Sequence, residues 1–367
     1  MKSSTDLRVG INGLGRIGRA LARILLLRRR HRIVHVNDLN PDVQNLAYLL
    51  KYDTTYGRLP DMVTAEAGAI AVGEQRFRVT HVGELAEVDW TGSNVDIVVE
   101  ATGVSRNEQQ AAAVAPRVRG GVVVTHTCPS ADYTLVFGAT ERGLDPARHR
   151  VVSTSICDAI AAAPVLKALY EAFGLEYGFI TTLHPWLSYQ NLMDGPARSQ
   201  AYPGATYSHY PLGRASVGAL IPKPTTVVAA CERIVPEVTG LLKCMSYRVP
   251  TPCVSSADLS LQLGRDATEE GVLEVLRALQ ASQHGRPVVR ITDEPLISVD
   301  YLGDEHSCII DTRWLMLNRG RQLKVVLWYD NEWGYASRVA DAIDLIAAGG
   351  SAGAAPAEPA APERSAP

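Results

Sequence analysis

Six residues near the N-terminus, Gly13-Leu-Gly-Arg-Ile-Gly18, narrow the possible folds more than any other feature of the chain. They follow a β-rich alternating run, Leu7-Arg-Val-Gly-Ile-Asn12, and precede Arg19-Ala-Leu-Ala-Arg-Ile-Leu-Leu-Leu27, which has helical composition. A second apolar strand, Arg32–Asn37, ends in Asp38, twenty residues after Gly18. The glycines Gly13, Gly15 and Gly18 allow a tight turn and let a pyrophosphate approach the helix N-terminus, where free N–H groups favour an anion. Asp38 is placed to accept hydrogen bonds from an adenosine ribose. A carboxylate there binds a free 2′-hydroxyl and repels a 2′-phosphate, which favours NAD over NADP. A strand-end acid also serves as a plain turn former, and that alternative stays open. Further apolar strands at Val95–Glu100 and Gly120–Thr125 alternate with helical stretches, predicting a parallel sheet covered on both faces.

At 367 residues the chain is too long for one ordinary core, so two domains are expected. A net charge of −3 without a long basic block argues against nucleic acid or an anionic membrane as partner. The one basic run, Arg28-Arg-Arg-His-Arg32, most simply complements the negative end of the helix it follows. No apolar run reaches the ~18 residues of a membrane span, and Met1–Asp6 lacks a signal-peptide core. Six cysteines without CxxC pairing point to reduced thiols in a cytoplasm, with neither a disulfide framework nor a metal site. Residues 349–367 are alanine, proline, glycine and charge, a composition that does not order itself.

The chemistry is expected at Val151-Val-Ser-Thr-Ser-Ile-Cys157-Asp-Ala-Ile, a β-branched strand running into an alanine-rich helix with a thiol at the join. Amide N–H groups and the positive helix end favour the thiolate and can receive an oxyanion. Downstream, Gly178–His184 reads as a strand ending in a histidine, a second catalytic group. Such a pair raises the thiolate fraction and shuttles protons. Buried cysteines and strand-end histidines are also common without any chemistry.

The chain resembles the phosphorylating glyceraldehyde-3-phosphate dehydrogenase family, which includes erythrose-4-phosphate dehydrogenase. The resemblance rests on Val9–Gly18, Lys51-Tyr-Asp-Thr-Thr-Tyr-Gly57, Glu100-Ala-Thr-Gly-Val104, Tyr247-Arg-Val-Pro-Thr-Pro252 and Trp328-Tyr-Asp-Asn-Glu-Trp-Gly-Tyr335. It implies an α/β architecture: a Rossmann-like parallel-sheet domain over residues 1–156 and an α+β catalytic domain with a mixed sheet over 157–330. A C-terminal helix at 331–348 would return to the first domain. It further implies Cys157 as the acylated cysteine and His184 as its base. Gly13, Gly15, Arg16, Ile17, Gly18, Asp38, Thr102, Gly103, Thr125 and Asn331 would hold NAD, with Asn331 orienting the nicotinamide carboxamide. Arg248, Thr225, Thr226, Arg214 and Asp158 would face the substrate. The family usually forms a homotetramer in which a long loop, here Tyr189–Arg214, reaches toward a neighbour's cofactor.

This sequence departs from the family at the thiol. The usual Ser-Cys-Thr-Thr-Asn-Cys is Ile156-Cys-Asp-Ala-Ile-Ala161, so hydroxyls that help bind inorganic phosphate are replaced by Ile156 and Asp158. The segment after His184 reads Pro185-Trp-Leu-Ser-Tyr189, and Pro211 and Leu212 stand where an arginine pair is usual. A carboxylate beside the sulfur would repel phosphate and raise the thiol pKa. Three functions therefore compete. One is phosphorylating oxidation of a triose or tetrose phosphate, with Lys223, Arg214 and Arg248 making up lost contacts. The second is aldehyde oxidation with the thioester released by water. The third is a weakly active NAD-binding paralogue with a binding or regulatory role.

Overall fold

The computed structural model describes residues 6–283 and 286–349 and contains two large sheets. The first runs, edge to edge, Tyr133–Thr134, Val151–Ser153, Val122–Val124, Ile97–Glu100, Arg8–Asn12, Arg32–Asn37, Gln75–Thr80, Ala69–Val72 and Val63–Glu66. From Tyr133–Thr134 to Gln75–Thr80 every neighbour is parallel. The last two strands form an antiparallel ribbon that the expected all-parallel sheet lacks, turning at Gly68 with φ +67°. The inner strands are runs of valine and isoleucine buried on both faces, as helix-covered parallel strands require. Strand Arg8–Asn12 has the second strand on one side and Ile97–Glu100 on the other, so the connections diverge at its C-terminal end. That divergence opens the crevice where a doubly wound sheet takes its ligand.

The second sheet is mixed: Ile221–Lys223, Leu242–Val249, Leu175–Pro185, Ser255–Leu263, Gln322–Tyr329, Cys308–Asn318 and Val289–Thr292. Its register sets His184 beside Arg248 on adjacent parallel strands. One face carries the helix Cys157–Phe173, which packs against the helices Val227–Ile234 and Glu269–Ala281. Ala159, Ala161, Ala162 and Ala163 of that helix are fully buried. Small side chains let the neighbouring backbones approach closely, so the helix carrying the thiol is held from several sides.

The helix Trp333–Ala347 packs along Arg16–Arg28. This changes the reading of the basic run. Arg28 pairs with Asp341 at 2.7 Å and Glu305 at 3.0 Å, while Arg30 and His31 both reach Asp344. The run clamps the C-terminal helix to the first domain, a role that a local helix-end reading misses. Among the described residues no helix is long and apolar enough to cross a membrane. Of the tail, residues 350–367 lie outside the described residues.

Candidate active site

A cavity of about 530 Å³ runs from the glycine turn to the cysteine. Its wall includes Gly13, Gly15, Arg16, Ile17, Asp38, Thr102, Thr125, Asn331, Cys157 and His184. The structure thus gathers in one crevice most of the residues singled out for cofactor and catalysis. Two others support it from outside. A Cβ at Gly18 would stand 1.9 Å from the Gly13 carbonyl oxygen, so only glycine lets helix and turn close. Gly103 sits at φ +67° beside Gln200.

The turn fits a dinucleotide on its own geometry. Gly13 is at φ +93°, and a Cβ there would come within 2.9 Å of the Thr102 backbone nitrogen. No side chain caps the helix that begins at Arg16, which leaves its first N–H groups for a pyrophosphate. Asp38 accepts from the backbone N–H of Leu14 at 2.7 Å and of Asn40 at 2.9 Å. It therefore both braces the glycine turn and lines the cavity. The Arg16 side chain bridges Glu332, another residue of the cavity wall, and Asp53. Beneath the floor Glu100 is fully buried, bonded to Asn12 and Thr102, and burial pushes its carboxyl up to about 7.

At the other end, Ser155 adopts φ +59°, a left-handed conformation that costs a non-glycine residue about 1–2 kcal/mol. Its carbonyl accepts from the Tyr335 hydroxyl at 3.0 Å. This kink turns the strand Val151–Ser153 into the helix and presents Cys157 at the helix start. The sulfur lies 3.6 Å from His184 Nε2 and 3.6 Å from Asp158 Oδ1. Tyr329 donates its hydroxyl to the same Oδ1 at 2.7 Å. Burial and then the Asp158 carboxylate push the Cys157 thiol well above its usual range, while the Asp158 backbone N–H and Arg248 pull it back. Burial and the Arg248 guanidinium push His184 down to about 4, so its imidazole is neutral at pH 7.

His184 Nδ1 lies 2.9 Å from the Pro185 carbonyl and also meets Arg248 Nη1. A carbonyl only accepts and a guanidinium only donates, so the two contacts demand opposite tautomers. With Nδ1–H on Pro185, Nε2 presents a lone pair to the sulfur side and acts as a base. With Arg248 donating, Nε2 carries hydrogen and acts as a donor.

The expected substrate residues do not line this cavity. Arg248 is buried, turned to His184, the Pro185 carbonyl and the Tyr189 hydroxyl. Arg214 is exposed and paired with Asp194, and Thr225 and Thr226 immediately precede the helix Val227–Ile234 without a side-chain cap bond at Thr226. Lys223 belongs with this group: burial and Arg248 push its ammonium down to about 8, and it feels the charges of Asp158 and Cys157. The loop 189–214 folds over its own chain's cavity, where Gln200 donates to the Thr102 carbonyl and Pro203 joins the wall. Asn12, Asn37, Arg106, Leu187, Glu332 and Tyr335 also line it, and no role was read for them in the sequence. The motifs carrying Glu332 and Tyr335 signal their presence, but nothing local signals that they meet the cysteine's helix.

A doubly wound domain and a dinucleotide cavity, with a cysteine–histidine pair at its far end, define the class of a dinucleotide-dependent oxidoreductase. Comparison with known proteins narrows the class. Residues 7–108 match the model for the NAD binding domain of glyceraldehyde 3-phosphate dehydrogenase, and residues 156–331 match that for its C-terminal domain. Similar proteins include glyceraldehyde-3-phosphate dehydrogenase of Kitasatospora aureofaciens, 39% identical across 93% of this chain and 99% of its relative. Glyceraldehyde-3-phosphate dehydrogenase 2 of Streptomyces arenae is 36% identical across 92% and 98%, and that of Bacillus subtilis 35% across 93% and 97%. The chain belongs to the glyceraldehyde-3-phosphate dehydrogenase family, and NAD is its cofactor.

Proposed function

We propose that the chain oxidises a phosphorylated aldehyde such as glyceraldehyde 3-phosphate through a covalent intermediate on Cys157. The observation that carries this is the sulfur 3.6 Å from His184 Nε2, in the wall of the same cavity as the glycine turn. The sulfur adds to the carbonyl carbon, forming a C–S bond while the carbonyl π electrons move onto oxygen, and the thiol proton passes by way of His184 Nε2 to that oxygen, giving the thiohemiacetal hydroxyl. Neutral His184, with its Nδ1–H on Pro185, takes the thiohemiacetal hydroxyl proton at Nε2. NAD supplies the hydride acceptor. Loss of hydride leaves a thioester on Cys157. Asp38 and the N–H groups at Arg16 and Ile17 hold the cofactor's ribose and pyrophosphate, and Asn331 its carboxamide. Thr102 and Thr125 shape the walls between, with Gly103 setting the turn behind them. Arg248 and Lys223 are the cations whose charges act on the Cys157 and Asp158 end of the cavity, and they are the candidates to receive the substrate's phosphate, with Arg214, Thr225 and Thr226 farther from it.

The family reaction passes the acyl group to phosphate, and that is the leading reading for this chain. Asp158 favours a second: its carboxylate 3.6 Å from the sulfur repels a phosphate dianion and leaves water as the acceptor. NADH formation measured with and without phosphate separates them. An absolute phosphate requirement supports phosphorolysis, and indifference supports hydrolysis. Absence of an acyl adduct on Cys157 by mass spectrometry would refute both.

A homo-oligomer is supported by the outer face of the second sheet, where Tyr177, Phe179, Trp314 and Met316 are exposed together. Sedimentation at micromolar concentration tests it, and a monomer would reject it. Six free thiols support a reducing, cytoplasmic location.

A further inference from the structure

Three ligand atoms of different chemistry converge at the head of the cysteine's helix. A sulfur of Cys157, a carboxylate oxygen of Asp158 and a ring nitrogen of His184 lie within 4.8 Å of one another. Tetrahedral zinc, with Zn–S near 2.3 Å and Zn–N or Zn–O near 2.0–2.1 Å, sets sulfur about 3.5–3.6 Å from its neighbouring ligand atoms. Both separations from the sulfur are 3.6 Å here. The carboxylate oxygen and the ring nitrogen lie within 4.8 Å of each other, and a tetrahedral pair needs about 3.3 Å, so side-chain rotation at Asp158 or His184 completes the set.

Two outer contacts orient the ligands as metal sites require. Tyr329 donates to Asp158, and His184 directs Nδ1 at the Pro185 carbonyl, which frees Nε2 to coordinate. Asp158 and His184 are each less than a tenth exposed, so their side chains are held by packing. Cys157 and His184 line the cofactor cavity, so a fourth position opens onto it for a water. A thiolate and a carboxylate together balance the charge of a dication. Opposing this, Arg248 stands on the far side of the imidazole, where its donation to Nδ1 would block Nε2.

We propose that Cys157, Asp158 and His184 form a three-ligand site for a zinc-class divalent cation that reversibly blocks the reactive sulfur. On binding, the thiol proton leaves to solvent and the sulfur lone pair engages the metal. A metal-bound sulfur does not add to an aldehyde and is shielded from alkylation. Asp158 is what makes the set a site, because a neutral residue there would leave only two ligands. The inference goes beyond the oxidation reaction and does not depend on which acceptor releases the thioester.

The test uses the full chain stripped of metal. Titration with Co²⁺ is expected to raise a near-ultraviolet sulfur-to-cobalt charge-transfer band that saturates at one ion per chain and that Zn²⁺ displaces. The band should vanish in Cys157→Ser, which keeps the other five cysteines. Asp158→Asn should weaken Co²⁺ by more than the roughly 10–100-fold typical of losing an outer partner, and Tyr329→Phe by about 10-fold. A band that persists in Cys157→Ser, or equal affinity in Asp158→Asn, overturns the proposal. Should either variant fail to fold, the unaltered chain still decides it. Micromolar Zn²⁺ must slow iodoacetamide labelling of Cys157, and EDTA must restore it; unprotected labelling refutes the site.

Discussion

Replacing Asp158 with asparagine removes one charge and almost nothing else. The amide has the same shape, and its oxygen can still accept the Tyr329 hydroxyl now bonded at 2.7 Å. What changes is the field at the sulfur. A unit charge 3.6 Å from a thiolate costs it about 4–5 kcal/mol at an effective dielectric near 20. Solvent reaching the half-buried Cys157 and the nearby Arg248 reduce that figure, so the thiol is expected to fall toward its usual range without reaching it. Burial, the larger cause of the raised thiol, stays in place. The assay is the rate of iodoacetamide labelling against pH, with EDTA present, followed by mass spectrometry of the Cys157 peptide. The midpoint should move to lower pH, and labelling at pH 7 should rise by about tenfold or more. With phosphate and aldehyde present, phosphate-dependent NADH formation should rise as well, and Asp158→Thr should do the same. A midpoint that stays put or climbs would show that the carboxylate does not govern the sulfur.

Lys223, held near 8, should lose its charge as pH rises through that value, so KM for a phosphorylated aldehyde should climb above pH 8 while an unphosphorylated one shows no such rise. The same depressed pKa makes the fold gain stability between about 8 and the usual 10.5, because the unfolded chain binds the extra proton there; denaturant melts across that window check it. Arg16→Met strands Glu332 and Asp53 without their cation and should cost roughly 3 kcal/mol in urea unfolding, together with NAD affinity. Gly18→Ala forces a Cβ against the Gly13 carbonyl and should lower the urea unfolding midpoint as well as NAD affinity, whereas Gly15→Ala, whose Cβ meets no protein atom within 4 Å, should keep the fold's stability and weaken NAD alone by calorimetry. Asp38→Ser should shift the kcat/KM ratio toward NADP, since the carboxylate that repels a 2′-phosphate is gone.

The departures from the sequence reading share one cause. The turn at Gly13–Gly18 was legible because its conformational demands fall on consecutive residues, and the same holds for the strand-to-helix step at Cys157. The antiparallel ribbon at Val63–Val72 was not, since its polar alternation is too short to declare a partner. Arg28 and Arg30 read as helix-end charges, yet their partners are more than 270 residues away. Arg248 reads as a phosphate ligand by its motif, whereas the strand register sets it against His184.

From the chain alone came the dinucleotide turn, NAD as the cofactor, the candidate nucleophile and the anomalous acid beside it, all features written within a few neighbouring residues. Only the tertiary structure decided that Tyr329, 171 positions on, pins Asp158 against the sulfur, and that one histidine nitrogen is contested by a carbonyl and a guanidinium. Local backbone geometry is encoded by adjacent side chains. Which groups share a buried pocket depends on sheet register and on how two domains close around a helix, and those follow from packing across the whole fold.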